Sequence, residues 1–233
     1  MASIKQIIGV IGISIILIGL IGLWIDRNNR EPEVLLDKNS ELKGPLSPES
    51  IKTNNPVITN VMNPKAVMKT NKGTIEIELF EDKMPITVNN FVKLANEKFY
   101  DGIKFHRVIK NFMIQSGDPN TKGADVSTYG TGGPGYTVQD EFVADPLLSN
   151  VRGTIAMANT GQPNSGGSQF FINTVDNTGL DFNKEPFTSK HPVFGRVING
   201  MDVIDAISTT ETGERDLPVV PVVIESVTIV RGS

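Results

Sequence analysis

The 233-residue chain contains no cysteine, which excludes thiol nucleophiles, disulfides and cysteine-ligated metals. Histidine occurs only at His106 and His191. Two imidazoles cannot build a three-histidine zinc site, and a mixed site would need neighbouring acids. There is no basic excess: the net charge of −4 lacks the electrostatic footprint of a nucleic-acid binder. The glycine-rich stretch Thr121 to Gly135 ends Gly130-Thr-Gly-Gly-Pro-Gly135, without Gly-Lys-Ser/Thr and without a following helix. It reads as a backbone-crowded turn and not as a phosphate cradle. Ser165 and Ser168 lie in Asn-Ser-Gly-Gly-Ser-Gln, which is no Gly-x-Ser-x-Gly elbow, so a serine hydrolase is set aside. Asp140-Glu141 reads as a solvated turn in preference to an acid–base pair. What remains is a chain with 39% hydrophobic residues, enough for one substantial domain with appendages.

The first appendage is apolar. Ile7 to Ile25 carries no charge, and nineteen helical residues reach roughly 28 Å, near the hydrocarbon thickness of a bilayer. Trp24 stands at its far end, where interfacial aromatics gather. A cleaved signal peptide is the rival reading, but its apolar core is shorter and ends in a small-x-small site, which Trp-Ile-Asp-Arg-Asn-Asn-Arg does not provide. An uncleaved, single-pass transmembrane anchor at 7–25 behind a short tail at 1–6 is expected. Lys5 on one side and Arg27 and Arg30 on the other leave the positive-inside rule nearly balanced. The short tail followed by a large domain resembles a signal anchor, placing the domain outside the cytoplasm. Residues 26–63 are polar, mixed in charge and broken by Pro32, Pro45, Pro48 and Pro56. They read as a flexible linker, the alternative being a packed N-terminal extension.

The domain spans 64–233. Ala66 to Thr70 and Thr74 to Phe80 read as strands joined at Asn71-Lys72-Gly73, the second alternating Ile75, Ile77 and Leu79 against Glu76 and Glu78. Pro85 to about Glu97 reads as a helix, with Pro85 suiting the first turn. Val88, Phe91, Val92 and Ala95 form its apolar stripe. Further strands are expected at Phe105–Ile109, Phe112–Gln115, Gly153–Asn159, Ser168–Thr174, His191–Ile198 and Val222–Arg231. A second helix is expected at Gly200–Ile207. Eight short strands and two helices without a βαβ rhythm predict a mainly β fold, a closed antiparallel barrel capped by helices.

Strand parity puts Arg107 between Phe105 and Ile109 on one face, and Met113 with Gln115 on one face of the next strand. An arginine there is either an edge residue whose stem snorkels over apolar surface or a fixed cation in an apolar groove. Parity also separates Gln169 and Phe171 from Phe170 and Ile172. Ala158-Asn159 closes the preceding strand, and Leu180 and His191 bracket a loop. Gathered with Phe112, these residues make an apolar pocket with one cation, a few amides and no obvious nucleophile.

Five blocks carry a family resemblance: Phe105-His-Arg-Val-Ile, Phe112-Met-Ile-Gln-Ser-Gly-Asp118, Gly153-Thr-Ile-Ala-Met-Ala-Asn159, Asn164-Ser-Gly-Gly-Ser-Gln-Phe-Phe-Ile172 and His191-Pro-Val-Phe-Gly-Arg-Val197. In this order they resemble the signature blocks of cyclophilin-type peptidyl-prolyl cis-trans isomerases, from roughly Pro64 to the C-terminus. The resemblance implies an eight-stranded barrel capped by two helices, with an X-Pro groove on its outer wall. It implies isomerisation of flexible or unfolded polypeptides in protein folding, as a monomer without cofactor or metal. Arg107 then resembles the donor to the prolyl nitrogen and Gln115 the residue that orients it. Phe112, Met113, Phe171 and Leu180 resemble the proline pocket, Ala158 and Asn159 the peptide-pairing edge, and Gln169 and His191 the rim. His106 has the opposite parity and reads as structural. Two departures stand out. Gly179 occupies a position that is Trp in the best-known members, which argues against tight cyclosporin binding while leaving proline turnover intact. Phe182 to Lys190 is longer than the short turn of compact members. A membrane-tethered proline-binding module or chaperone without turnover is the alternative reading, and intact Arg107 and Gln115 argue against it.

Overall fold

The structure, a computed structural model, describes residues 62–184 and 190–232. The expected tail, the anchor at 7–25 and the linker up to residue 61 lie outside the described residues, as does the middle of the 182–190 loop. Among the described residues no helix is long and apolar enough to cross a membrane.

The domain opens with a hairpin of β1 (Lys65–Thr70) and β2 (Gly73–Leu79), paired from Lys65↔Glu78 to Thr70↔Gly73. The turn is tight because Gly73 takes φ +138° and its carbonyl accepts from Thr70 Oγ1 at 2.8 Å. The alternation in β2 is realised: Ile75, Ile77 and Leu79 are fully buried, as are Ala66 and Met68 of β1. Helix α1 (Pro85–Asn96) follows and buries Val88, Phe91, Val92, Leu94 and Ala95. Phe91 lies at the centre of an aromatic cluster, 5.0 Å from Tyr100, 5.4 Å from Phe194 and 5.8 Å from Phe170. Such tilted and edge-on contacts suit the ring quadrupole.

Glu141 corrects an expectation. It is not a solvated turn residue: its carboxylate accepts from the backbone N–H groups of Ile86 and Thr87 at 3.0 and 2.7 Å and from Thr87 Oγ1 at 2.7 Å. Met84 supplies no side-chain cap, so a distant acid satisfies the free donors of the helix N-terminus. Asp140 is likewise engaged, exchanging hydrogen bonds with Asn164.

The remaining elements are β3 (Arg107–Ile109), β4 (Met113–Ser116), β5 (Thr154–Met157), β6 (Phe170–Asn173), β7 (Val193–Asn199), α2 (Met201–Ser208) and β8 (Ile224–Val230). The eight strands form one antiparallel sheet ordered β3-β4-β6-β5-β7-β2-β1-β8. The fold is mainly β with two helices, as expected. The barrel, however, is open: β3 and β8 end the ladder and do not pair as strands. Among the described residues, the backbone is joined across the seam by a bridge between Lys104 and Val223 and a few hydrogen bonds, such as Phe105 N–H to the Val222 carbonyl at 2.9 Å. Two features stop the ladder there. Pro221, next toward the site, has no N–H to donate. His106 already gives its N–H to the Gln115 carbonyl at 3.1 Å. This also shortens the first strand expected at Phe105–Ile109 to its last three residues.

Candidate active site

Four neighbouring strands bring one row of side chains together. Register sets Arg107 opposite Gln115, Gln115 opposite Phe171, and Phe171 opposite Ala156. Paired positions share a face of the sheet. The adjacent row, Val108, Ile114, Ile172 and Ile155, is buried in the core. The Arg107 row therefore lies on the outer wall. Hairpin geometry fixes its end: Asn111, at φ 58°, closes the Lys110-Asn111 bend between β3 and β4, a conformation Asn tolerates better than most residues.

One end of the row is apolar. Met113 and Phe171 are buried, and Phe112, Leu180 and Ala158 are partly buried against the hydrophobic core of the domain. The His191 N–H donates to the Leu180 carbonyl at 3.2 Å, which brings the two ends of the 182–190 loop together. The His191 ring meets Phe171 edge-on, with centroids 5.3 Å apart at 83°. Its Nδ1 lies 3.0 Å from the Met157 carbonyl. Since a carbonyl only accepts, the Nδ1–H tautomer is assigned. Burial lowers the His191 pKa, and the Met157 bond opposes that shift in part. Below the loop, the buried Asp181 carboxylate accepts from Asn150 N–H, Asn150 Nδ2 and Ser149 Oγ, so the loop entrance is pinned.

The other end is polar. Gln115 Nε2 donates to Gln169 Oε1 at 3.0 Å, and Gln169 Nε2 donates to the carbonyls of Gly130 and Gly132 at 3.0 and 2.8 Å. The fully buried Asp118 holds that loop from beneath, accepting from Asn120 N–H at 2.8 Å and from Gly130 N–H. Two clefts meet at Gln115 and Gly130. One, of about 520 Å³, is lined by Ala158, Asn159, Gln169 and the Gly130–Pro134 loop. The other, of about 420 Å³, is lined by Arg107, His106, Tyr129, Arg215, Asp216 and Leu217. Among the described residues Asn159 makes no backbone–backbone hydrogen bond, while its side chain is tied to Lys190 and Gly161. An extended peptide could pair with that free backbone.

Arg107 is exposed, and its ion-pair partner is Asp216, with Nε 3.7 Å from Oδ2. Asp216 and Arg215 are consecutive non-glycine residues at φ near +58°, a strain of roughly 1–2 kcal/mol each. The Arg215 guanidinium donates to the carbonyls of Val126 and Ser127, tying this turn to the neighbouring loop. His106 is buried, and neither of its ring nitrogens has a hydrogen-bond partner among the described residues. Burial lowers its pKa; the Asp118 charge opposes this.

Of the ten expected site residues, Arg107, Gln115 and Phe171 share one row, Met113 has the parity of Gln115, Ala158, Asn159 and Gln169 line the adjoining cleft, and His191 meets Phe171, while Phe112 and Leu180 pack against the apolar core. Sequence reasoning missed Asp216, Arg215 and the part that Asp118 and Gly130–Gly132 play. Only the last had a signal, an Asp shortly before a glycine-rich loop. Asp216 is brought in by the seam between β3 and β8, which no local pattern announces. Among the described residues no group of three or more His, Asp or Glu converges as metal ligands would. The face can bind an extended apolar-containing chain and present a cation to it, with no nucleophile aligned.

Comparisons with known proteins agree on one family. The model for cyclophilin type peptidyl-prolyl cis-trans isomerase/CLD matches residues 65–229. A peptidyl-prolyl cis-trans isomerase of Acinetobacter baylyi is 43% identical over 171 residues, covering 72% of this chain and 86% of the relative. Peptidyl-prolyl cis-trans isomerase B of Escherichia coli is 44% identical over 167 residues, covering 69% and 96%. Among solved structures, a cyclophilin type peptidyl-prolyl cis-trans isomerase of Cryptosporidium parvum, crystallised in the presence of the dipeptide Ala-Pro, superposes with a TM-score of 0.61. It shares 29% identity and covers 72% of this chain and 99% of that one.

Proposed function

This chain belongs to the cyclophilin-type peptidyl-prolyl cis-trans isomerases, and from that premise we propose that Arg107 drives the isomerisation without covalent chemistry. The barrier to be lowered is about 18–20 kcal/mol and comes from the double-bond character of the amide. Twisting the X-Pro bond localises a lone pair on the prolyl nitrogen. A cationic donor aimed at that nitrogen stabilises the twisted form and gains little from the planar one, which is selective binding of the transition state. The observation that carries this reading is the Arg107–Gln115–Phe171 row, a charged donor two strands from a buried aromatic on one open face.

In this reading the proline ring packs on Phe171, Met113, Phe112 and Leu180, and the preceding residues pair with the backbone of Asn159. The Ala-Pro dipeptide present with the Cryptosporidium relative supports a proline segment as the occupant. Gln115 and Gln169 keep the polar rim in place. His191 shapes the apolar end and transfers no proton. The run Ile7–Ile25 tethers the domain to a membrane, with the domain on the extracytoplasmic side and flexible polypeptides as substrates.

The test is NMR exchange on an X-Pro peptide with the full chain and Arg107→Ala. Loss of one preorganised donor should lower kcat/KM by roughly a hundredfold. Equal rates would remove the mechanism, and peptide binding without turnover in the wild type would favour a binding module. Protease protection on sealed vesicles tests the tether; cleavage of the domain from the cytoplasmic side would overturn its placement.

A further inference from the structure

We infer that Asp216 is a positioning residue for Arg107: it holds the guanidinium by its Nε edge and leaves the terminal nitrogens turned to the groove. This rests on the reading of Arg107 as the donor. Three observations lead to it. The Asp216 carboxylate lies 3.7 Å from Arg107 Nε, and both side chains line the same cleft of about 420 Å³. Among the described residues, no hydrogen bond reaches the guanidinium from Gln115, whose amide is committed to Gln169. The backbone that delivers Asp216 is held in an unfavourable shape, left-handed at two successive non-glycine residues.

That backbone shape is maintained from several sides. Gly213 N–H donates to the Leu217 carbonyl at 2.8 Å, Thr212 bridges Pro218, and Arg215 binds the carbonyls of Val126 and Ser127. Strained residues persist only where their surroundings over-determine them, and they concentrate at working sites. Stability does not explain this arrangement. Both partners are nearly half exposed, at 44% and 47%, and such pairs contribute little to folding. Orientation is a different matter. A free arginine side chain samples many rotamers, and a donor that must meet a nitrogen only in the twisted state gains from being set beforehand.

The experiment compares kcat and KM of the full chain with Asp216→Asn, Asp216→Glu and Asp216→Gly. The glycine variant keeps the left-handed backbone while removing the carboxylate. Asn and Gly should lower kcat about threefold to fivefold, the kinetic equivalent of an exposed ion pair, with KM within twofold. Glu should restore most of the loss. The Arg107 Nε–H resonance should shift in Asn and Gly and stay near its wild-type position in Glu. In an Arg107→Ala background, Asp216→Asn should have no further effect. Unchanged kcat in both Asn and Gly, or an equal loss with and without Arg107, would overturn the inference. If Arg107→Ala itself retains full activity, the donor reading fails; if it loses activity while Asp216→Gly does not, only the positioning role fails.

Discussion

Gly132→Ala places one methyl group where the lip of the groove has no room for it. A Cβ at Gly132 would sit 2.1 Å from Asp118 Oδ1 and 2.9–3.0 Å from the Asn120 side-chain amide. Ordinary contact begins near 3.4 Å, so lip and carboxylate must separate by more than an ångström. Asp118 cannot yield easily. It is fully buried, and its two oxygens accept from Asn120 N–H and Gly130 N–H. The loop is therefore expected to lift, giving up the Gly130 bond and straining the Gln169 bonds to Gly130 and Gly132. A hydrogen bond to a buried charge contributes about 1.5–3 kcal/mol. In a domain of this size each kcal/mol shifts Tm by about 2–4 °C. Gly132→Ala should therefore unfold roughly 3–12 °C below the wild type in a reversible thermal scan. Because Gln169 also accepts from Gln115, kcat/KM on an X-Pro peptide should fall as well. A variant with wild-type Tm and turnover would show that the lip relaxes freely, and the chain of contacts from Asp118 to Gln115 would lose its meaning.

Three other outcomes follow from the same structure. Removing the distant cap with Glu141→Ala frees two N–H groups at the start of α1 and should cost about 1–2 kcal/mol, read as a lower urea midpoint with unchanged slope. His106 and His191 have lowered folded pKa values caused first by burial, so the unfolded chain binds protons first as pH falls. Stability should be flat above the ordinary histidine range, decline as pH drops through about 6.5, and level off below the depressed folded values. Urea melts from pH 8 to pH 5 check the sign, and a stability that rises on acidification across that window would contradict it. With Arg107 as the proposed donor and no proton transferred, turnover of the folded enzyme should stay flat over the same range.

Much of the fold was legible because its elements carry their own periodicity. The β1–β2 hairpin shows strict alternation around a turn, and the α1 stripe of Val88, Phe91, Val92 and Ala95 is fully used. Parity separated Phe170 and Ile172, which point into the core, from Gln169 and Phe171, which reach the outer wall. What stayed hidden depends on partners far along the chain. The cap from Glu141 to α1 spans more than fifty residues, and an acid in a polar stretch looks the same whether it caps a helix or faces water. The open seam follows from Pro221 lying opposite His106, a register that emerges only when the sheet is assembled. Asp216 was invisible for the same reason, being delivered to Arg107 across that seam.

The position of β1 in the sheet has a mechanical consequence. It is an inner strand, paired over six positions with β2 on one side and over six with β8 on the other. Register puts Lys65 opposite Glu78 and Val230, so the N-terminal end of β1 lies beside the C-terminal end of β8, and a pull that separates those two ends loads the β1–β8 ladder from that end inward, one hydrogen bond after another. Strands β3, β4 and β6 lie at the far side of the sheet order, with β5, β7 and β2 between them and β1. Opening of the sheet from its termini therefore starts at the β1–β8 edge, with three strands between it and the row that carries Arg107, Gln115 and Phe171.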